Sequence, residues 1–201
     1  MPAAAVAVCL VAGCTAPPRR DGAAPVDAAA RRAALVAVDT WEARGRMALK
    51  APGAGGQGSF TWQQAGERTV LRVAGPFGAG AYEVHVEPTR LTVLSARGEV
   101  AADYTGPEAA ERFLEAQLGW ALPVANARYW LLGVPGPGSI ATETADGRGL
   151  PAGLVQDGWS IAYQDYVPEG AVELPRKVVL TAPDRRLRLV IDEWQLGPRD
   201  F

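Results

Sequence analysis

From Trp41 to Trp194 most of this chain alternates apolar and polar residues with a period of two, the pattern of a strand with one buried face. In Arg44–Lys50, Gly45, Met47 and Leu49 face one way while Arg44, Arg46 and Lys50 face the other. Pro52 to Gly58 reads as a Gly-rich turn. Ser59–Gln63 then sets Phe60 and Trp62 against Ser59, Thr61 and Gln63, and Thr69–Ala74 returns after a turn at Ala65-Gly66. Tyr82, Val84 and Val86 point inward from the next strand, with Glu83, His85 and Glu87 outward. Strands follow at Leu91–Ser95, near Val100, at Gly153–Gln156, from Trp159 through Ile161 and Tyr163, at Lys177–Thr181, and through Leu187, Leu189 and Ile191. Short turns between successive strands make an antiparallel meander.

Three stretches break the period. An Ala-rich segment, Asp27 to Val38, predicts a helix with a weak apolar stripe. Thr105 with Glu108 three residues on has the spacing of a capping box, ahead of Ala110, Phe113, Leu114 and Leu118 and a stop at Gly119. Pro123 opens a helix running through Trp130 to Gly133. Val134–Gly138 and Ala145–Gly149 read as connectors. The expected fold is therefore mainly β within an α+β class: ten or eleven strands in one antiparallel sheet, curved around two or three helices that bury their stripes on its concave apolar face. A half-open barrel is the economical form and a closed barrel its competitor.

The N-terminus does not belong to this domain. Residues 3–12 form an apolar run of signal-peptide length, far short of the roughly 20 residues of a spanning helix. The run ends in Val11-Ala12-Gly13-Cys14, the layout of a bacterial lipoprotein leader cleaved before a cysteine that is then acylated. No Lys or Arg precedes Arg19, so the usual positive flank is missing from this sequence. The domain plan is thus a leader at 1–13, a lipidated Pro/Ala/Arg tether at 14–26 and one folded domain at 27–201.

Composition narrows the function. Twenty basic and 22 acidic residues give a net charge of −2 without like-charge blocks, which argues against a nucleic-acid partner. Both cysteines, Cys9 and Cys14, fall in the leader or at its cleavage point, and His85 is the only histidine. The domain therefore has no disulfide or thiol nucleophile, and too few donors for a histidine metal cage. His85 alternates with Glu83 and Glu87 on a polar strand face, and no carboxylate stands isolated in an apolar setting as a general acid requires. The glycine runs lack the context of phosphate loops. No cofactor is implied and the chain is not read as an enzyme.

One turn stands out: Gly75-Pro76-Phe77-Gly78 carries a large apolar residue between two strands. On pattern alone Phe77 either folds back onto the core or projects toward a bilayer or acyl chain. Taken with Arg44-Gly45-Arg46, Phe60-Thr61-Trp62-Gln63-Gln64, Leu122-Pro123-Val124, Trp130-Leu131-Leu132-Gly133-Val134-Pro135-Gly136, Gln156-Asp157-Gly158-Trp159, Leu174-Pro175 and Ile191 to Trp194, that turn makes the chain resemble the LolB family of outer-membrane lipoprotein receptors. The turn residue here is Phe77 where a Leu is familiar. The resemblance implies a half-open β-barrel that accepts acylated lipoproteins from the periplasmic carrier LolA and releases them into the outer membrane without ATP. It implies lipid attachment at Cys14, with Thr15 rather than Asp fitting outer-membrane sorting, and a membrane-insertion loop at Pro76, Phe77 and Gly78. The cavity has no short motif, so its lining is chosen by inward alternation: Met47, Leu49, Phe60, Trp62, Tyr82, Val84, Trp130, Trp159, Ile161 and Leu189. The partners expected are the LolA-like carrier, acylated cargo and outer-membrane lipid, with the protein itself a monomer. Two other readings stay open: a LolA-like soluble carrier, which the lipidation motif disfavours, and a structural envelope lipoprotein with a filled core. Cells treated with a lipoprotein signal-peptidase inhibitor should accumulate the uncleaved precursor; unchanged processing would contradict the assignment of Cys14.

Overall fold

Asp27 begins the first element by capping it: its carboxylate accepts from the N–H groups of Ala29 and Ala30, both at 3.0 Å, at the start of α1 (Ala28–Val36). The computed structural model describes residues 25–75, 80–119 and 122–197. After α1 come β1 (Thr40–Ala51), β2 (Ala54–Ala65), β3 (Arg68–Ala74), β4 (Tyr82–Glu87), β5 (Arg90–Ser95) and β6 (Val100–Thr105). Two helices, α2 (Ala109–Leu118) and α3 (Val124–Leu131), lead to β7 (Thr142–Ala145), β8 (Pro151–Gln156), β9 (Trp159–Glu169), β10 (Val172–Ala182) and β11 (Arg185–Leu196). All eleven strands form one antiparallel sheet in the order β6-β5-β4-β3-β2-β1-β11-β10-β9-β8-β7. Each half is a meander of sequence neighbours, and the first and last strands join the halves. β6 and β7 remain edges, so the barrel is half-open rather than closed.

The join between β1 and β11 contains a bulge. Arg44 lies opposite Glu193 but Gly45 opposite Ile191, which leaves Asp192 as the extra residue. Asp192 and Glu193 both turn outward, while Ile191 and Trp194 both stay buried. This explains Arg44-Gly45-Arg46 residue by residue. The Arg46 guanidinium donates to both Asp192 oxygens at 3.1 and 3.2 Å, and Arg44 lies 3.8 Å from Glu193. Gly45 is where the strands close up: a Cβ there would lie 2.0 Å from the Val190 carbonyl oxygen.

Two apolar clusters fill the concave side. The larger joins Trp130, Leu131 and Ala127 of α3 to inward residues of β1, β2 and β8 to β11. Trp41 stacks on Trp62 with ring centroids 5.8 Å apart and meets Trp194 edge-on at 5.7 Å. The indoles keep partners: Trp130 Nε1 donates to Gln156 Oε1 at 2.7 Å, Trp194 Nε1 to the Pro175 carbonyl at 3.1 Å, and Trp62 Nε1 to Gln64 Oε1 at 3.0 Å. Gln156 also grips the connector after α3, accepting from Gly136 N and donating to Gly136 O. The smaller cluster sets Ala109 and Ala110 of α2 on Leu91 and Val93 of β5.

Buried Arg31 locks α1 to the sheet. Its guanidinium donates to the carbonyls of Leu132 (2.9 Å), Gly133 (3.1 Å) and Glu173 (3.1 Å), and lies 5.5 Å from the Tyr166 ring centre. The first two carbonyls end α3, where a cation is favoured. Burial lowers the guanidinium pKa, and the neighbouring tyrosines and Glu173 work against that shift.

Three expectations need correction. Thr105 caps no helix: it pairs with Arg90 in the β6 ladder, and Gly106 turns away at φ +98° to donate to the Thr89 carbonyl. Glu108, at φ +63°, takes the cap position without a side-chain hydrogen bond. The Gly-rich stretch is no turn beyond Pro52-Gly53, because β2 already runs from Ala54. Strand β7 was not anticipated, since its four exposed residues, Thr142 to Ala145, offer no buried face to read. Gly45→Ala should cost about 3 kcal/mol by forcing β1 from β11; a urea midpoint equal to that of the unaltered protein would refute the close approach.

Candidate functional site

Strand β2 changes character along its length, and the site follows from that change. Its inward positions Phe60, Trp62 and Gln64 are buried in the core. Continuing back with the same period, the next inward positions are Gly58 and Gly56. The register places Met47 opposite Gly58 and Leu49 opposite Gly56. Two apolar side chains thus face two positions without any, and a lane stays open beside them. It is a groove of about 420 Å³ whose apolar lining comes from Met47, Leu49 and Val73, with Gly56, Gly58 and Gly75 as its bare wall. That size lies within the about 300–1,000 Å³ of typical ligand sites. Gly58 is required twice over, because a Cβ there would also come within 2.1 Å of the Ala74 carbonyl oxygen.

The ten residues chosen by alternation divide into groups. Phe60, Trp62, Trp130, Trp159, Ile161 and Leu189 are all buried in the larger cluster. Met47 and Leu49 are half-buried at its margin, where the groove begins. Val84 packs with the smaller cluster under α2. Tyr82 is 46% exposed, so the inward placement read from its strand does not bury it. It borders a second recess of about 520 Å³ that runs past Phe60, Val73 and Leu94. The alternation therefore finds the concave face correctly but does not separate filled from open positions. Gly56, Gly58 and Val73 were missed; the period-two phase carried back from Phe60 through the glycines was the available signal.

Both openings border the β3–β4 connection, whose described flanks are Gly75 and Gly80. Pro76, Phe77 and Gly78 lie outside the described residues, as does Cys14. The larger cluster carries one polar irregularity. The Tyr163 hydroxyl is buried with no hydrogen-bond partner among the described residues, and burial pushes its pKa well up.

The outer face is polar and cross-linked. Glu42 accepts from Gln63 at 2.7 Å, Gln63 accepts from Arg72 at 2.9 Å, and Arg72 donates to Glu83 at 2.6 Å. His85 Nε2 lies 2.5 Å from Glu83 Oε1. His85 is thus a member of a surface row. Burial alone would raise the Glu83 pKa, but hydrogen bonds from His85 and Arg72 outweigh it and hold the carboxyl below its usual range. Among the described residues no group of three or more His, Cys, Asp or Glu could hold a metal ion, and no helix is long and apolar enough to cross a membrane. Tyr163→Phe should raise stability by about 1 kcal/mol, since it removes a buried hydroxyl that lacks a partner. A lower urea midpoint for that variant would mean the hydroxyl is satisfied.

Comparison with known proteins fits this architecture. The family model described as "Outer membrane lipoprotein LolB" matches residues 39–194, which span the sheet from the start of β1 into β11. The outer-membrane lipoprotein LolB of Nitrosococcus oceani is 38% identical over 168 residues, covering 83% of this chain and 82% of its own. That of Pseudomonas putida is 34% identical over 192 residues, covering 94% and 92%. Among solved structures, a LolA-superfamily protein from Nitrosomonas europaea superposes with a TM-score of 0.50 at 8% identity, over 81% of this chain and 88% of its own. A DUF1329-family protein from Desulfovibrio piger gives 0.52 at 9%, over 89% and 96%. At such identities these two structures speak to the fold alone. The match along nearly the whole sheet, with relatives above 30% identity over most of their length, places this chain in the LolB family of outer-membrane lipoprotein receptors.

Proposed function

We propose that this domain takes acylated lipoproteins from a LolA-like periplasmic carrier and passes them to the outer membrane, with the acyl chains held along the concave face. The observation that carries this reading is the open lane between Met47 and Leu49 on β1 and Gly56 and Gly58 on β2. Each methylene transferred from water into such a lane contributes about 0.8 kcal/mol. Chains longer than the groove extend toward Phe60, Trp62 and Leu189, and farther toward Trp130, Trp159 and Ile161 if α3 shifts from the sheet. Receiving cargo from a carrier that holds it less tightly is downhill, so the step needs no nucleotide.

Delivery falls to the turn at Pro76, Phe77 and Gly78; what supports this is that its described flanks, Gly75 and Gly80, border the groove. An apolar side chain there enters the bilayer and gives the acyl chains a short path out. Cys14 carries the lipid that keeps the domain at its membrane. The monomer is the working unit, since the groove is built from one chain.

A structural lipoprotein without cargo is the competing reading, and the dense packing around Trp130 favours it at the filled end of the sheet. Binding of an acylated peptide decides between them: the unlipidated domain should bind it, and failure to bind or to accept cargo from the carrier sinks the transfer reading. Phe77→Glu should leave the domain folded and able to accept cargo but at least tenfold slower in delivery to vesicles. Delivery at the unaltered rate would refute the loop assignment.

A further inference from the structure

The strand register brings three cations together on the convex face. Two adjacent rows of directly paired residues cross the sheet there. One runs Lys50, Arg186, Thr181, Ser160, Val155 and Thr142, from β1 across β11, β10, β9 and β8 to β7. The next runs Gln57, Ala48, Arg188, Val179 and Ala162, from β2 to β9. Lys50, Arg186 and Arg188 are all exposed, neither row contains a carboxylate, and none of the three cations has an ion-pair partner among the described residues. The row below is neutralised: Arg46 meets Asp192, and Lys177 meets Asp165. The acids at the hairpin tips of this end are Asp184 between β10 and β11, Asp157 between β8 and β9, and Glu99 beside Val100. All except Asp184 lie away from the three cations on the strands.

The exposed apolar side chains gather at the same end. Five large ones stand out among the described residues, and four of them, Ile140 (94% exposed), Val100 (65%), Val155 (50%) and Tyr82 (46%), lie at the end of the strands that carries Lys50 and the β3–β4 connection. Ile140 precedes β7 and Val100 starts β6, so both open edges of the sheet finish in an exposed aliphatic residue. The fifth, Val36, is on α1.

We propose that this end of the sheet is a docking surface for anionic phospholipid, in which Lys50, Arg186 and Arg188 meet headgroup phosphates and Ile140 and Val100 enter the interface. The proposal rests on the delivery reading only for why a bilayer must be approached. A lipid surface fits better than a protein partner, because the apolar tips stand on separate loops at opposite edges rather than in the contiguous patch a protein core contact needs. The cations fit phosphate because each Lys or Arg near an anionic surface adds attraction that salt screens. Together they orient the open groove toward the acceptor membrane, which a single apolar contact does not do.

The test uses residues 15–201, the chain without its leader and acylated cysteine, so that vesicle binding does not come from the lipid anchor. Sedimentation with phosphatidylethanolamine vesicles, with and without phosphatidylglycerol, should show binding that needs the anionic lipid and falls at high salt. Lys50→Gln, Arg186→Gln and Arg188→Gln together should weaken that binding on the order of a hundredfold, and each alone about fivefold, with unchanged circular dichroism. Ile140→Ser should weaken it several-fold. Equal binding to vesicles without phosphatidylglycerol, or a triple variant that binds as the unaltered protein does, overturns the proposal. A triple variant that keeps vesicle binding but no longer accepts cargo from the carrier also overturns it, by assigning the patch to the carrier. Acylated-peptide binding measured on the same samples reports separately on the groove, so failure of the delivery reading is distinguishable from failure of this one.

Discussion

What β1 and β2 place opposite one another decides where the concave face is packed and where it is open. At the Trp41 end, indoles from β1, β2 and β11 pack with α3 and leave only a small recess of about 110 Å³ beside Trp41. At the other end the same two strands pair Met47 with Gly58 and Leu49 with Gly56. No rotamer choice can close that lane, because half of its positions have no side chain. Gly58 cannot acquire one without pushing β2 from β3. The open groove is thereby tied to backbone spacing rather than to loose packing, which makes it a durable property of the fold.

The remaining architecture holds this arrangement in place. The bulge at Asp192 lets β1 and β11 join the two halves while each keeps its buried face, and the paired charges of Arg44 and Arg46 cover the residues that the bulge turns out. Arg31 binds the end of α3 to β10, and Gln156 binds the following connector to β8. α2 sits instead on the smaller cluster at β5, and few residues bridge it to the main core. Leu114 of α2 reaches the larger cluster and Val124 of α3 the smaller, so the two helices are tied to one another at these points.

Much of this was legible in the sequence, and the exceptions have physical causes. The alternation from Trp41 to Trp194 identifies the buried face of nearly every strand, because burial on one face imposes a period of two. The same alternation cannot tell Leu189, which is buried, from Leu49, which borders a groove, since both are apolar and inward. The glycines misled for a related reason: Gly55, Gly56 and Gly58 resemble a turn, and only the register shows them inside a strand. Arg31 was invisible because its role depends on carbonyls more than a hundred positions away. Lys50 reads as an alternate polar residue, but that it shares unneutralised cross-strand rows with Arg186 and Arg188 is a property of the register that no linear reading supplies.

The central claim is that acyl chains lie along the Gly-lined lane between β1 and β2. A peptide whose acyl chain carries a photoreactive group at its end, bound to the protein and irradiated, tests this most directly when the crosslinked residues are mapped by mass spectrometry. Crosslinks at Met47, Leu49 and Val73, lost when excess acylated peptide competes, are the predicted result. Crosslinks confined to the convex face, or none that competition removes, would contradict it.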